Sequence, residues 1–586
     1  MRVLGITGFE NSIPYLKSLY PDRDVREYRI SQGHDSAAAL LVDGEIIAAC
    51  EEERFSRKKH TGDFPRGAIR YCLEEAGLEF ADLDVIAHAF DYEPVKKLWL
   101  GKPETARQYQ EVFSPEQLQR QFQRDFPGVD LARLRHVSHH ESHEASAYYC
   151  SGFDECVSLV IDGMGEMHGA SVYHRTPTGA RLLGRISAAN SIGILYSLVT
   201  LHLGFDFNAD EYKIMGLAPY GDPERYRSFF DEQVQLTPGG GLKIPMLRLN
   251  KTPEERDFYL ASRAFLDAEL LPVRDPEDEV TDAHRDVAAS LQACLDRVFV
   301  ELTSFYANKA GCRKLAMAGG VALNCTSNGK ILQAGHFDEV FVQPAAGDDG
   351  TALGAALLVE AESGRLEPKR IAVPFFGPAP NPKEVRAAVE AARGRLEVEE
   401  LGSLDAAAKC AASEIAAGKV VAWYRGRMEF GPRALGHRSI LGDPQHPEMR
   451  DRVNAMVKMR EAFRPFAPAI LESEASLYFD IADGSSYPYM IVIVEVREQH
   501  RERFPAITHV DGTARLQTVS AANNPIFHAV LTEVGKATGI PMVLNTSFNV
   551  KGQPIVNTPQ EAIETYEATG IDTLILDDYC LRKPLD

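Results

Sequence analysis

Two stretches of the chain share one alternation of short apolar runs and tight polar turns. In 34–55, HDSAAALLVDGEIIAACEEERF, a small-residue apolar run meets Asp43-Gly44 and a second apolar run follows. Asp-Gly between two such runs predicts a β-hairpin. In 156–175, CVSLVIDGMGEMHGASVYHR, an apolar run ends at Asp162-Gly163, crosses a Gly-rich turn and returns as a strand. A hairpin opening each of two halves predicts a duplicated α/β fold. Further on, 314–332 (KLAMAGGVALNCTSNGKIL) runs from a short strand through Gly319-Gly320 into a helix-like segment. The stretch 339–358 (EVFVQPAAGDDGTALGAALL) repeats that plan with a Gly/Asp turn and an Ala-rich helix. Such units gather backbone N–H groups and a helix N-terminus at one spot, which suits phosphate.

Residues 366–385 hold five prolines and few helix signals, as a linker or an entry strand would. After them the helical patterns KEVRAAVEAARG and SLDAAAKCAASEIAAGK lead into VVAWYRG, a strand-like run. A second α/β domain over about 370–586 is expected. A length of 586 residues agrees, since it suits two or three domains rather than one.

Charge narrows the partners. The net charge of −21 opposes binding to nucleic acid and to anionic membranes, while leaving small anionic substrates open. No apolar run reaches the roughly 18–20 residues of a membrane helix, and the N-terminus lacks a signal-peptide pattern, so a cytoplasmic protein is expected. The nine cysteines are scattered without a C-x-x-C, which disfavours a disulfide framework or a zinc ribbon. Against the acidic background, residues 425–464 carry nine Lys/Arg and five Asp/Glu. Arg433 in FGPRALG and Arg464 in FRPFAP sit among Gly, Pro and aromatic residues, which favours an anion site over a merely solvated face.

Candidate chemistry begins at HHESHEASAYY, 139–149. On a helix His139 and His143 share one face, a turn apart, as two ligands of one metal would; alone, the pair also fits a solvated face. His140 would point elsewhere. His34-Asp35, Asp162, and Asp348 with Asp349 lie at element ends, where α/β folds converge on one crevice. A His₂Asp₂ set suits Fe(II) or another divalent ion in Lewis-acid work. Asn545, Ser547 and Asn549 recur at period two in LNTSFNVKGQP, as one side of a phosphate pocket or as a polar turn. Neither G-x-x-x-x-G-K-[ST] nor G-x-S-x-G occurs, so a P-loop NTPase and an α/β-hydrolase fit poorly.

Nine blocks in order resemble the NodU/CmcH-type O-carbamoyltransferases: HDSAAALLVDGEIIAACEEERFSRKKH, SHHESHEASAYY, MGLAPYG, GGVALN, GDDGTALGAAL, FGPRALGHRSIL, FRPFAP, GTARLQTV and LNTSFNVKGQPIV. The resemblance spans nearly the whole chain and departs at an insertion of about 10–33, placed to shape the acceptor pocket. It implies an N-terminal domain (1–367) similar to tRNA threonylcarbamoyl transferases, with an actin/hexokinase-like duplicated fold. It implies a C-terminal α/β domain (368–586) similar to threonylcarbamoyl-adenylate synthases (YrdC-like). Carbamoyl phosphate and ATP, as its Mg(II) complex, would form carbamoyl-adenylate in the second domain. A hydroxylated small-molecule acceptor would take the carbamoyl group in the first, as in natural-product tailoring and antibiotic biosynthesis.

By the same resemblance His139, His143, Asp162 and Asp348 would hold Fe(II), Asp348 being preferred to Asp349. His34 would be the general base. Arg433, Lys458, Arg464 and Arg515 would bind phosphates, with Asn545 and Ser547 completing the nucleotide site. Lys213, Gly319, Gly320 and Asn324 are further nucleotide candidates in the first domain. A homodimer stands as a working expectation. Two competing readings are a fused tRNA-threonylcarbamoylating enzyme and a non-catalytic actin-like ATPase scaffold. The net charge of −21 opposes the tRNA reading, and the scaffold would leave the Arg/Lys-rich segment without a purpose.

Overall fold

The computed structural model describes residues 1–458 and 466–584. The chain divides into two units: Met1–Ser56 with His60–Ile371, and Arg57–Lys59 with Ala372–Asp586.

The first unit is built twice on one plan. Strands β1 (Arg2–Thr7), β2 (Ala37–Val42) and β3 (Glu45–Glu51) form an antiparallel meander, and β4 (Val85–His88) and β5 (Leu134–His136) extend it in parallel from β1, in the order β3-β2-β1-β4-β5. The second half repeats this with β6 (Cys156–Ile161), β7 (His168–Thr176) and β8 (Gly179–Ser187). A short hairpin of β9 (Gln235–Thr237) and β10 (Gly241–Lys243) lies apart, and β11 (Lys314–Ala318) and β12 (Glu339–Val342) complete the second sheet in the order β12-β11-β6-β7-β8. Counted outward from its own first strand, each sheet reads 3-2-1-4-5 with the same strand directions. This is the expected duplication in an α/β unit. The Asp43-Gly44 turn behaves as its sequence requires: both residues have positive φ (50° and 83°), the geometry a two-residue hairpin demands.

The helix that follows the fifth strand of each half is the feature that positions the site. Helix His139–Ser151 follows β5, and helix Asp349–Ala361 follows β12. They cross closely because Gly354 has no side chain: a Cβ there would lie 1.7 Å from the Ser142 carbonyl oxygen. Gly5 of β1 does the same against the Ala352 carbonyl, where a Cβ would come within 1.9 Å. Both helices are buried almost all round; Asp349–Ala361 meets this with an apolar, small-residue sequence, whereas His139–Ser151 buries His, Ser and Glu side chains.

The second unit carries a mixed eight-stranded sheet, assembled from β13 (Glu397–Glu400), β14 (Val421–Tyr424), β15 (Arg438–Gly442), β16 (Ala467–Leu471), β19 (Gln517–Val519), β20 (Met542–Ser547), β21 (Thr573–Leu576) and β22 (Tyr579–Arg582), in the order β13-β22-β21-β14-β15-β20-β16-β19. Strands β17 (Ile493–Glu495) and β18 (Thr513–Arg515) pair separately. Helices Leu404–Ala416 and Pro525–Thr538 cover one face, and their Ala407, Ala408, Ala411, Phe527 and Val530 meet Trp423 and Val543 in the core. The alanine-rich pattern lets the first of these helices lie close to the sheet.

Gly354→Ala tests the close crossing. It should destabilise the first unit by about 3 kcal/mol through overpacking. Calorimetry of the full chain should show one transition several degrees lower and the other unmoved.

Candidate metal centre

At the start of helix His139–Ser151 the i, i+4 spacing points both imidazoles to one side, as expected for a helix. Asp162 arrives from the end of β6, and Asp348 occupies the N-cap of helix Asp349–Ala361. One ligand atom from each of His139, His143, Asp162 and Asp348 lies within 4.8 Å of all the others. His139 Nε2 is 3.4 Å from Asp162 Oδ2 and 3.4 Å from Asp348 Oδ1, and His143 Nε2 is 3.6 Å from that same Asp348 oxygen. The donors thus come from strand ends and helix starts of both halves, where the two copies of the fold meet.

The surroundings orient each donor. His139 Nδ1–H donates to the Ala89 carbonyl at 3.2 Å, which leaves the Nε2 lone pair directed into the group. Its ring stacks on Phe90, centroids 4.1 Å apart. The His139 backbone N–H donates to Glu166 Oε1 at 2.8 Å, so a carboxylate from another loop caps this helix. Asp162 Oδ1 accepts the Gly320 N–H at 3.0 Å, turning Oδ2 toward His139. Only glycine suits the preceding position in this turn, because Gly319 has φ +98° and a Cβ on it would lie 2.2 Å from the Ile161 carbonyl. Gly320 therefore gives its N–H to a carboxylate, where the sequence pattern suggests a phosphate.

These residues fit a divalent cation. His139 Nε2 and both ring nitrogens of His143 are buried without a hydrogen-bond partner. Buried, unsatisfied polar atoms cost roughly 1–3 kcal/mol each, and a cation bound between two imidazoles and two carboxylates would offset that cost. Burial alone would push the His139 pKa down, yet the Asp348 and Asp162 carboxylates outweigh it and hold the imidazole well above its ordinary value. Burial would likewise raise Asp162, but its contact with His139 and the nearby imidazoles hold it far below the carboxylate range.

The neighbours differ. Asp349 is buried outside the four-donor group, and burial, with Glu51, Asp35 and Asp348 nearby, raises its pKa well above the ordinary carboxylate value. His140 turns away to Ser171 Oγ at 2.8 Å. His34 is buried beside Ser31 and the His60 carbonyl, not in the four-donor group. Asp35, Glu53 and His60 form a second, half-exposed trio whose atoms also lie within 4.8 Å. That trio is already tied together, since His60 Nδ1 bonds Asp35 at 2.9 Å and the His60 N–H donates to Glu53 at 2.8 Å. Lys213 pairs with Asp210 at 2.8 Å, and the Asn324 side chain caps helix Cys325–Ala334 and bonds Gln292. The insertion is spent mostly on packing: Tyr15, Leu16 and Tyr28 join Phe9, Phe90, Tyr92 and Phe113 in one aromatic cluster.

In the second unit much of the basic charge in 425–464 is structural. Arg425 bonds Asp577 and Asp578, Arg452 bonds Asp572, and Arg438 is buried 3.7 Å over the Tyr424 ring while donating to four carbonyls. Glu429 Oε1 accepts the N–H groups of Leu435, His437 and Arg438 at 2.8, 2.9 and 3.3 Å, shaping the turn that carries half-buried Arg433. Asn545 is fully buried, and its amide donates to the Ala434 carbonyl and to Gln517, bracing that turn from β20. Arg515, two residues before Gln517, and Ser547, two after Asn545, are half-buried nearby in sequence. Arg464 and the Lys458 side chain lie outside the described residues.

The carbamoyltransferase N-terminus family model matches residues 28–357, and the carbamoyltransferase C-terminus model matches 412–583. The chain belongs to the carbamoyltransferase family. It is 40% identical to the nodulation protein NolNO of Sinorhizobium fredii (strain NBRC 101917 / NGR234), over 94% of this chain and 79% of that one. It is 42% identical to the nodulation protein NolO of Bradyrhizobium diazoefficiens (strain JCM 10833 / BCRC 13528 / IAM 13628 / NBRC 14792 / USDA 110), over 76% and 79% of the two chains. Among solved structures, component A of (R)-2-hydroxyglutaryl-CoA dehydratase from Acidaminococcus fermentans is a distant likeness. Its TM-score is 0.31 at 15% identity, over 62% of this chain and 100% of that one. Among the described residues no helix is long and apolar enough to cross a membrane.

Elemental analysis of purified variants separates the two adjacent aspartates. Asp348→Asn should lower metal affinity by at least about 100-fold, whereas Asp349→Asn should change it by less than about tenfold. Equal losses would contradict the choice of Asp348 over its neighbour.

Proposed function

We propose that the protein is an ATP-dependent O-carbamoyltransferase that works in two steps divided between its units. In the second unit carbamoyl phosphate and Mg(II)-ATP form carbamoyl-adenylate and pyrophosphate. Arg433 and Arg515, with Lys458, Arg464 and Ser547, bind the phosphates there, because forked guanidinium groups match phosphate oxygens bidentately. In the first unit a hydroxyl of a small-molecule acceptor attacks the carbamoyl carbon and AMP leaves.

His139, His143, Asp162 and Asp348 would hold Fe(II) or another divalent ion, which supplies Lewis acidity toward the carbamoyl carbonyl. His34 accepts the proton of the acceptor hydroxyl. Burial lowers its pKa, keeping the imidazole neutral and able to accept at neutral pH. Excluding water protects the mixed anhydride from hydrolysis. ATP and carbamoyl phosphate place the reaction in the cytoplasm.

The observation carrying this reading is the group of two imidazoles and two carboxylates, buried but for half-buried Asp348, in a chain matched by both carbamoyltransferase family models. The acidic net charge of −21 favours a small acceptor over a nucleic acid.

Incubation with carbamoyl phosphate and ATP should release pyrophosphate and AMP, and an accepting alcohol should gain one carbamoyl group by mass. Arg433→Ala should slow pyrophosphate formation about 100-fold, as loss of one charge-stabilising donor does. His143→Ala should keep pyrophosphate formation and lose the carbamoylated product. The reading fails if ATP is not consumed with any carbamoyl donor, or if both variants lose the same step.

A further inference from the structure

The loop that precedes β2 presents a second polar group beside His34. His34 Nδ1 lies 3.2 Å from the His60 carbonyl oxygen, an atom that only accepts, so Nδ1 carries the proton. His34 Nε2 is therefore a lone pair, and Ser31 Oγ lies 3.2 Å from it. The orientation of that contact is then forced: the Ser31 hydroxyl donates to His34, which leaves the Ser31 oxygen able to accept a hydrogen bond. Ser31 is half-buried while His34 is buried, so the serine is the member of the pair within reach of a bound molecule.

The loop is held firmly next to the four-donor group. The Gln32 side-chain amide donates to the Met164 and Gly165 carbonyls at 2.7 and 2.6 Å, just beyond Asp162, and Tyr92 donates to the Gln32 oxygen. Gly165 packs against the rings of His139 and His140, where a Cβ would come within 3.2 Å and 2.7 Å. On the other side, Asp35 and His60 both hold positive φ (54° and 53°) and bond to each other through carboxylate and imidazole at 2.9 Å. Non-glycine residues in that region are costly and persist where surrounding contacts impose them. Here they place the His60 carbonyl against His34 Nδ1.

We propose that Ser31 is a further catalytic residue, relaying the acceptor's proton to His34. This inference rests on the reading in which His34 is the base for carbamoyl transfer. The acceptor hydroxyl donates to Ser31 Oγ while Ser31 donates to His34 Nε2. As the acceptor oxygen bonds to the carbamoyl carbon, its proton passes to Ser31 and the Ser31 proton passes to His34. The bond from the carbamoyl carbon to the phosphate oxygen breaks, and AMP departs with that electron pair. His34, now an imidazolium, returns its proton to solvent, and Ser31 is regenerated unchanged. The arrangement follows the general logic of a hydroxyl paired with a base that a third group orients, the third group here being a backbone carbonyl.

The test uses the full chain with its metal, carbamoyl phosphate and ATP, and glycerol as the hydroxyl probe, in the wild type, Ser31→Ala, Ser31→Thr, His34→Ala and the Ser31→Ala/His34→Ala double variant. Pyrophosphate and carbamoylated glycerol are measured separately. Ser31→Ala should lower kcat for transfer about 100-fold with KM little changed, and Ser31→Thr should recover most of that loss. The double variant should be no slower than the slower single variant, because a relay acts as a unit. Ser31→Ala transferring at the wild-type rate, or single losses that multiply, would overturn the relay. If the wild type releases no pyrophosphate or carbamoylates no probe, the functional reading itself is at fault. The contact is then decided by nitrogen NMR of histidine-labelled chain: Ser31→Ala should shift the His34 Nε2 resonance, and an unmoved resonance overturns the inference.

Discussion

The close crossing of two helices, one from each half of a duplicated fold, is the constraint on which the first unit depends. Helices His139–Ser151 and Asp349–Ala361 follow the same strand of the repeat, and Gly354 lets one backbone touch the other at Ser142. Because they meet so closely, His139 and His143 face Asp348 across the junction. Asp162 enters from the opening hairpin of the second half. Four donors spread over about two hundred residues become neighbours because equivalent elements of a repeat converge, which is how strand-end crevices arise in α/β folds.

Electrostatics then make that convergence consequential. Two imidazoles and two carboxylates crowd into that junction; the Asp348 and Asp162 carboxylates raise the His139 pKa against the pull of burial, and both ring nitrogens of His143 are buried without a hydrogen-bond partner. The second unit solves the opposite problem. Its basic segment spends Arg425, Arg438 and Arg452 on carbonyls and carboxylates of the fold. Glu429 gathers three backbone N–H groups to hold the turn that carries Arg433. The charge count of that segment thus overstates the charge available to a ligand, and the turn geometry matters more than the sum.

Much of the first unit is legible in the sequence alone. The Asp43-Gly44 turn announces its hairpin because few dipeptides tolerate two positive φ values, and the i, i+4 histidines announce a shared face because helical periodicity is local. What stays hidden depends on contacts remote in sequence. Gly319-Gly320 looks like a phosphate cradle, since the same N–H groups serve either anion; only the fold shows Asp162 receiving one of them. Asn545 looks like a ligand for a nucleotide and is a buried strut, because period two says which side of a strand a residue faces and not what lies there. The insertion reads as a segment placed to shape the acceptor pocket, and its Tyr15, Leu16 and Tyr28 go into core packing. Ser31 and Gln32 lie in that same insertion without any motif to mark them; their significance comes from a lone pair and two carbonyls that sequence does not display.

The chemistry proposed for the first unit turns on one cation held among four side chains. Anomalous diffraction from crystals grown anaerobically with Fe(II), collected on both sides of the iron edge, measures it directly. The expected result is an iron peak bonded to His139 Nε2, His143 Nε2, Asp162 Oδ2 and Asp348 Oδ1, at distances of about 2.0–2.2 Å. A peak at the Asp35, Glu53 and His60 trio instead, or none between the two histidines, would contradict it.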